Sequence, residues 1–375
     1  MARQHEPPQH FPARHRAIVE RAATSGMVTL AGVHAVLPPH RYEQAQLTAE
    51  FARVVLPDGN HDLLGRLHAN TQVATRYLAL PLEQYVGLNG FGERNDRFIE
   101  NAVSLGAEAL LGALQRAELD PADVDTIIST TITGIAVPSI EARIVERVGL
   151  RADVRRIPLF GLGCVAGAAG IARLNDVLLG RPADVAALLS VELCSLTVQR
   201  NDVSMANLIS CGLFGDGAAA VVAVGAEHDR AGPRIIDSRS RLYPDSERTM
   251  GWDVSGSGLK IVLDAQVPTL VRQYLGEDIR TFLAAHRLDV GDIGAWISHP
   301  GGPKVIEAIE AELDLPGDPL ELTWRSLEQI GNLSSASVLH VLRDTLDKRS
   351  LPPDTPAVLM AMGPGFCSEL VLLRW

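Results

Sequence analysis

Three residues of this sequence stand in settings where their side chains could support acyl transfer and carbanion chemistry: Cys164, His299 and Asn332. Cys164 lies in residues 156–170, RIPLFGLGCVAGAAG. An apolar strand runs into Gly161-Leu162-Gly163, and a helix of small residues begins at the cysteine. The glycines permit a tight strand-to-helix turn. A cysteine at a helix N-terminus feels the macrodipole, which favours the thiolate, the attacking species. Most free cysteines are buried structural residues, and Cys194, Cys211 and Cys367 read that way by themselves. For Cys164 the glycine-framed elbow favours a nucleophile.

A thiolate needs a base or a cationic partner. His299, in AWISHPGGP at 295–303, ends a buried strand and is followed by a turn that lifts it out of the sheet. Ligands of α/β proteins gather at the carboxyl ends of strands, which raises this histidine above an ordinary surface or core imidazole. Asn332, in GNLSSAS at 331–337, has two readings. It is a helix N-cap, or its amide donates to a developing oxyanion, and the two roles compete for one side chain. Gly363-Pro364-Gly365 separates the apolar runs 357–362 and 367–373, either as a hairpin turn or as a rigid wall beside a site. Phe214, just before a strand, reads alone as a core aromatic.

The elements that must position these groups alternate. Buried-strand runs at 126–131, 186–192, 218–224 and 357–362 are interspersed with helical patterns such as 98–117 and 305–313. This predicts an α/β protein with helices covering sheets. Segment 119–129 (LDPADVDTIIS) resembles 288–298 (LDVGDIGAWIS), with Asp123 and Asp292 lying 169 positions apart. Segment 174–178 (LNDVL) resembles 342–346 (LRDTL) at an offset of 168. The near-equal offsets predict two duplicated halves that meet in the loop-like stretch 226–236. Cys164 and Asn332 are also 168 positions apart. They should therefore occupy equivalent places, both facing one central site.

The 375 residues exceed a usual single core, so two packed halves are expected. With 46% hydrophobic and 21% charged residues, the chain has the composition of a globular protein. A net charge of −11 argues against nucleic acid as a partner. Four cysteines without CxxC spacing point away from zinc and from a disulfide scaffold, and fit a reducing, cytoplasmic setting. The N-terminal residues lack a signal-peptide core and read as a flexible extension over 1–27. No apolar run reaches the roughly 20 residues of a membrane span.

Five segments, in order, resemble the type III polyketide synthases of the thiolase superfamily: GLGCVAGAAG at 161–170, GLFGDGAAAVV at 212–222, HPGGPKV at 299–305, GNLSSASVL at 331–339 and MGPGF at 362–366. The sequence looks closest to the mycobacterial and actinomycete branch that makes long-chain alkylpyrones and alkylresorcinols. The resemblance implies a five-layered αβαβα fold with halves 28–230 and 231–375. It also implies a homodimer, with acyl-CoA and malonyl-CoA as substrates and no cofactor. It makes Cys164 the nucleophile, His299 the catalytic histidine and Asn332 the catalytic asparagine. Phe214 becomes the gatekeeper, and Gly363, Pro364 and Gly365 a wall of the cavity. Val137 becomes the residue received by the neighbouring subunit's cavity. Arg66 matches a residue that meets the coenzyme A phosphates.

The chain departs from the family's plant members at several positions. Leu63 and Asn70 replace phosphate-binding lysines, with Lys304 as a candidate substitute. Ile261 replaces a second gatekeeper phenylalanine, Cys194 replaces a small polar cavity residue, and Thr197 is grouped with the same cavity. A smaller gate suits a longer acyl group.

The chemistry implied is a Cys164–His299 ion pair, acyl transfer to the thiolate, and decarboxylation of malonyl-CoA to an enolate held by His299 Nε2 and Asn332. Condensation follows. Within the superfamily an initiating ketoacyl-ACP synthase ranks second, because HQAN-like sequence around the histidine is missing. A thiolase ranks lower, since Cys367 lies past the Gly-Pro-Gly turn. From other classes, a Cys-His-Asn thioester hydrolase and a non-catalytic acyl-binding protein remain as alternatives.

Overall fold

A computed structural model describes residues 26–375 apart from 56–58 and 201. The N-terminal extension expected over 1–27 lies outside the described residues except for its last two. Nine strands carry the fold, labelled here in chain order: β1 (Val28–Val36), β2 (Val124–Thr130), β3 (Arg155–Leu159), β4 (Val185–Leu193), β5 (Asp216–Val224), β6 (Arg234–Leu242), β7 (Ala295–Ser298), β8 (Pro356–Gly363) and β9 (Cys367–Arg374). The apolar runs read from the sequence fall inside β4, β5, β8 and β9, and the run 126–131 overlaps β2 but extends one residue past its end at Thr130. The helical pattern at 98–117 belongs to a longer helix, Gly90–Ala117, and that at 305–313 to Pro303–Leu313.

The strands hydrogen-bond in the order β3-β2-β4-β5-β1-β6-β9-β8-β7. In the first half β2 runs parallel to β3 and β4, and the pairs β4–β5 and β5–β1 are antiparallel. In the second half β7 runs parallel to β8, and the pairs β8–β9 and β9–β6 are antiparallel. Leaving out the edge strand β3, the two halves repeat one order and one set of directions. Within the sheet they join where Val28 and Thr29 pair with Ile235 and Arg234.

Every residue of β4 and β5 is buried. Such strands need cover on both faces, which explains their near-continuous runs of Val, Ala and Leu. The cover is helical. Gly90–Ala117 packs its Ala102, Leu110 and Leu114 on the outside of the first half. The helices Gly276–Ala285 and Pro303–Leu313 do the same for the second half through Phe282, Ile306 and Ile309. Between the halves run two central helices, Ala166–Leu179 and Ser337–Lys348, whose Ile171, Leu174, Val338 and Leu342 share one core with strands of both halves. Helix, sheet, helix pair, sheet and helix make the five layers of a thiolase-like α/β fold.

Candidate active site

Each central helix is preceded by a single 3-10 turn, Gly163–Val165 in the first half and Ser334–Ala336 in the second. Cys164 lies within the first turn and Asn332 just ahead of the second. The duplicated architecture brings both to one cavity of about 620 Å³. His299 lines the same cavity. It follows β7 directly, and its backbone N–H donates to the Met360 carbonyl at 2.9 Å. Three groups drawn from distant parts of the chain thus meet at the carboxyl ends of strands.

The approach of the cysteine turn is tight. Gly163 has φ +54°, and a Cβ there would lie 2.6 Å from Pro364 Cγ. A Cβ on Gly363 would lie 2.9 Å from the Val165 nitrogen. The Gly-Pro-Gly segment is both a hairpin turn between β8 and β9 and the support for the cysteine turn. Of its three residues only Pro364 reaches the cavity surface, joined by Met362.

Asn332 resolves its two competing roles by dividing its amide. Oδ1 accepts from the Ser334 backbone N–H at 2.8 Å. Nδ2 is left as the donor that a ligand in the cavity can meet. Its backbone is locked to the segment that carries Phe214: Asn332 N–H donates to Leu213 O at 2.9 Å, and Gly215 N–H donates to Asn332 O at 3.0 Å.

Charge at the site departs from the expectation of a resting thiolate. Burial pushes the Cys164 thiol up to about 12, with the nearby Glu192 carboxyl adding to the rise and the Ser334 hydroxyl opposing it. Burial holds His299 down at about 3. Its ring is 2% exposed, and Nδ1 finds no hydrogen-bond partner among the described residues. Cys164 lines the cavity as a half-buried residue. Its hydrogen-bond partner is Ser334 Oγ at 3.7 Å. Burial therefore favours a neutral thiol and a neutral imidazole in this cavity.

Phe214, Ile261 and Lys304 line the cavity with the triad. Cys194 and Thr197 do not. They line a separate void of about 20 Å³, which shares Phe214, Trp252 and Ile261 as its partition with the main cavity. Arg66 is exposed on the helix His61–Ala69 and does not line the cavity, whereas its neighbour Leu67 and the nearby Asn70 do. Val137 is 88% exposed.

Two residues escaped the sequence reading. Ser334 touches the Cys164 sulfur from a left-handed backbone at φ +48°. The doubled serine after Asn332 was its only trace. Trp252 faces Ile261 across the two-stranded ribbon Met250–Ser255/Gly258–Leu263, a register that no local pattern announces.

Known proteins agree with this architecture. Residues 16–228 match the N-terminal domain of chalcone and stilbene synthases, and residues 234–375 match the C-terminal domain. The chain belongs to this family. It is a type III polyketide synthase, an acyl-transferring enzyme of a class that acts on coenzyme A thioesters and needs no metal or other cofactor. It is 54% identical over 351 residues to a 1,3,6,8-tetrahydroxynaphthalene synthase of Streptomyces peucetius subsp. caesius, covering 92% of this chain and 93% of the relative. It is 29% identical to a phloroglucinol synthase of Pseudomonas fluorescens, covering 93% and 99%. The crystal structure of the 1,3,6,8-tetrahydroxynaphthalene synthase of Streptomyces coelicolor A3(2) superposes with a TM-score of 0.87 at 31% identity, covering 92% of this chain and 99% of that one.

Proposed function

We propose that this synthase extends a long-chain, apolar acyl-CoA starter with malonyl-CoA and closes the product to an alkylpyrone or alkylresorcinol. The observation that carries the proposal is the convergence of Cys164, His299 and Asn332 on one cavity whose walls include Ile209, Leu213, Phe214, Trp252 and Leu263. Such walls offer an alkyl chain what water does not.

His299 takes the thiol proton as the Cys164 sulfur attacks the starter carbonyl. Coenzyme A leaves, and the acyl group stays as a thioester on the cysteine. Malonyl-CoA then loses CO2, and the negative charge develops on its thioester oxygen. Asn332 Nδ2 and the His299 ring donate to that oxygen. The enolate carbon attacks the cysteine thioester, the sulfur is expelled as thiolate and reprotonated, and coenzyme A carries a chain two carbons longer. Phe214 screens the carbanion from water. Lys304 at the cavity surface and Arg66 on the adjacent helix meet the phosphates of coenzyme A.

Two halves, 28–230 and 231–375, make one such site. Val137 would be buried by a second copy in a homodimer. Four free cysteines support a reducing, cytoplasmic setting. Among the described residues, no helix is long and apolar enough to cross a membrane.

The high identity to a tetrahydroxynaphthalene synthase favours a second reading, in which malonyl-CoA is both starter and extender. Mass spectrometry of products decides. Incubation with malonyl-CoA and acyl-CoAs of graded length should give pyrone or resorcinol masses that track the starter. A single naphthalene product from malonyl-CoA alone, unchanged by added acyl-CoA, would overturn the long-chain starter and leave the second reading.

A further inference from the structure

Arg76, next to the gate, has a guanidinium buried without an ion-pair partner among the described residues. It is 1% exposed, and its hydrogen-bond acceptors among the described residues are the neutral oxygens of Gln44 and Phe214. Burial lowers its pKa to about 10, with the Asp216 carboxylate working in the opposite direction. That carboxylate is engaged elsewhere, accepting from the backbone N–H groups of Ser195 and Ala79. A cation in this position is costly unless its hydrogen bonds do something a neutral side chain could not.

Those bonds all lead to the active-site floor. Arg76 Nη1 donates to the Phe214 carbonyl at 2.8 Å, and Nε donates to Gln44 Oε1 at 3.0 Å. Gln44 Nε2 in turn donates to the Gly212 carbonyl at 2.7 Å. Both ends of the segment 212–214 thus accept hydrogen bonds from the Arg76–Gln44 pair. Leu213 and the adjoining Gly215 hold Asn332 through their backbone bonds. The stem of Arg76 packs against the turn before Asn332: a Cβ on Gly331, which has φ +73°, would lie 3.2 Å from Arg76 Cγ and 2.7 Å from the Leu213 carbonyl oxygen. The arginine fork has a rigid, planar set of donors that fixes two acceptors at once.

We infer that Arg76 is a positioning residue that sets the Phe214 gate and the Asn332 amide at one height beneath the acyl-cysteine. The inference rests on the roles proposed above for those two residues. Arg76 touches neither substrate nor sulfur. It acts through the backbone that carries the gate and the donor, where a small displacement lowers the rate steeply.

Arg76→Lys keeps the charge and the stem but loses the fork. Turnover per folded enzyme should fall about tenfold, with KM for malonyl-CoA within about twofold of the parent. Because gate and donor fall out of register, the ratio of acetyl-CoA released by uncoupled decarboxylation to condensed product should rise severalfold. Cys164 alkylation should be unchanged. Arg76→Gln, which keeps one amide NH2 as donor without the charge or the fork, repeats the test if the lysine variant does not fold. Folded enzyme of either variant with parental turnover and parental ratio would overturn the inference. So would a loss that follows only the folded fraction measured by thermal melting. A parent enzyme that makes no polyketide would instead sink the proposed function, so the two failures are distinguishable.

Discussion

The two turns that open the central helices occupy equivalent places and are built in opposite ways. The Cys164 turn is compressed from outside, with Gly163 against Pro364 and Gly363 against Val165, while the sulfur has one side-chain hydrogen-bond partner among the described residues, Ser334. The Asn332 turn is held from inside, by two backbone bonds to Leu213 and Gly215 and by the bond its own Oδ1 accepts from Ser334. A nucleophile must move toward a carbonyl and away again as bonds form and break. A donor to a transient oxyanion works by not moving. On the roles proposed above, the duplicated scaffold gives the nucleophile fewer hydrogen bonds and the oxyanion donor more.

Substitutions can break this contrast in graded steps. Cys164→Ala should abolish condensation in an otherwise folded protein, a loss on the order of 1000-fold or more, read as the disappearance of product masses. Asn332→Ala removes one donor and should lower kcat on the order of 100-fold. Its effect should fall on malonyl decarboxylation, with the rate of acyl transfer to Cys164 unchanged when followed by trapping a labelled starter. An equal loss in both steps would show that the fixed turn supports the nucleophile as well.

The electrostatic side of the contrast is open to a pH series. Alkylation by iodoacetamide follows the thiolate fraction of Cys164. A thiol raised by burial is protonated at neutral pH and loses its proton only as pH climbs, so the rate should rise roughly tenfold per pH unit between pH 6 and 9. A rate already flat from pH 6 would mean that the imidazolium–thiolate pair expected from the sequence survives burial. The smallest effect is on stability. Gly163→Ala places a methyl group against Pro364 on a left-handed backbone and should cost about 1–3 kcal/mol, seen as a lowered Tm.

Much of this was legible in one dimension. Glycines around Cys164, a histidine at a strand end and an asparagine at a helix start are local patterns, and local sterics and helix electrostatics enforce them wherever they occur. The offset of 168 between Cys164 and Asn332 also predicted their symmetric placement, because a duplicated chain repeats its strand order and so returns equivalent residues to equivalent helix ends. Only the tertiary structure decided the rest. The protonation of Cys164 and His299 follows from how much protein surrounds them, which no short motif reports. The partition by Trp252 and Ile261, which leaves Cys194 and Thr197 in a separate void, depends on the register of a two-stranded ribbon. The buried Arg76 resembles any surface arginine in sequence. It acquires its meaning from segments 138 positions away in the chain, which the fold alone brings to its guanidinium.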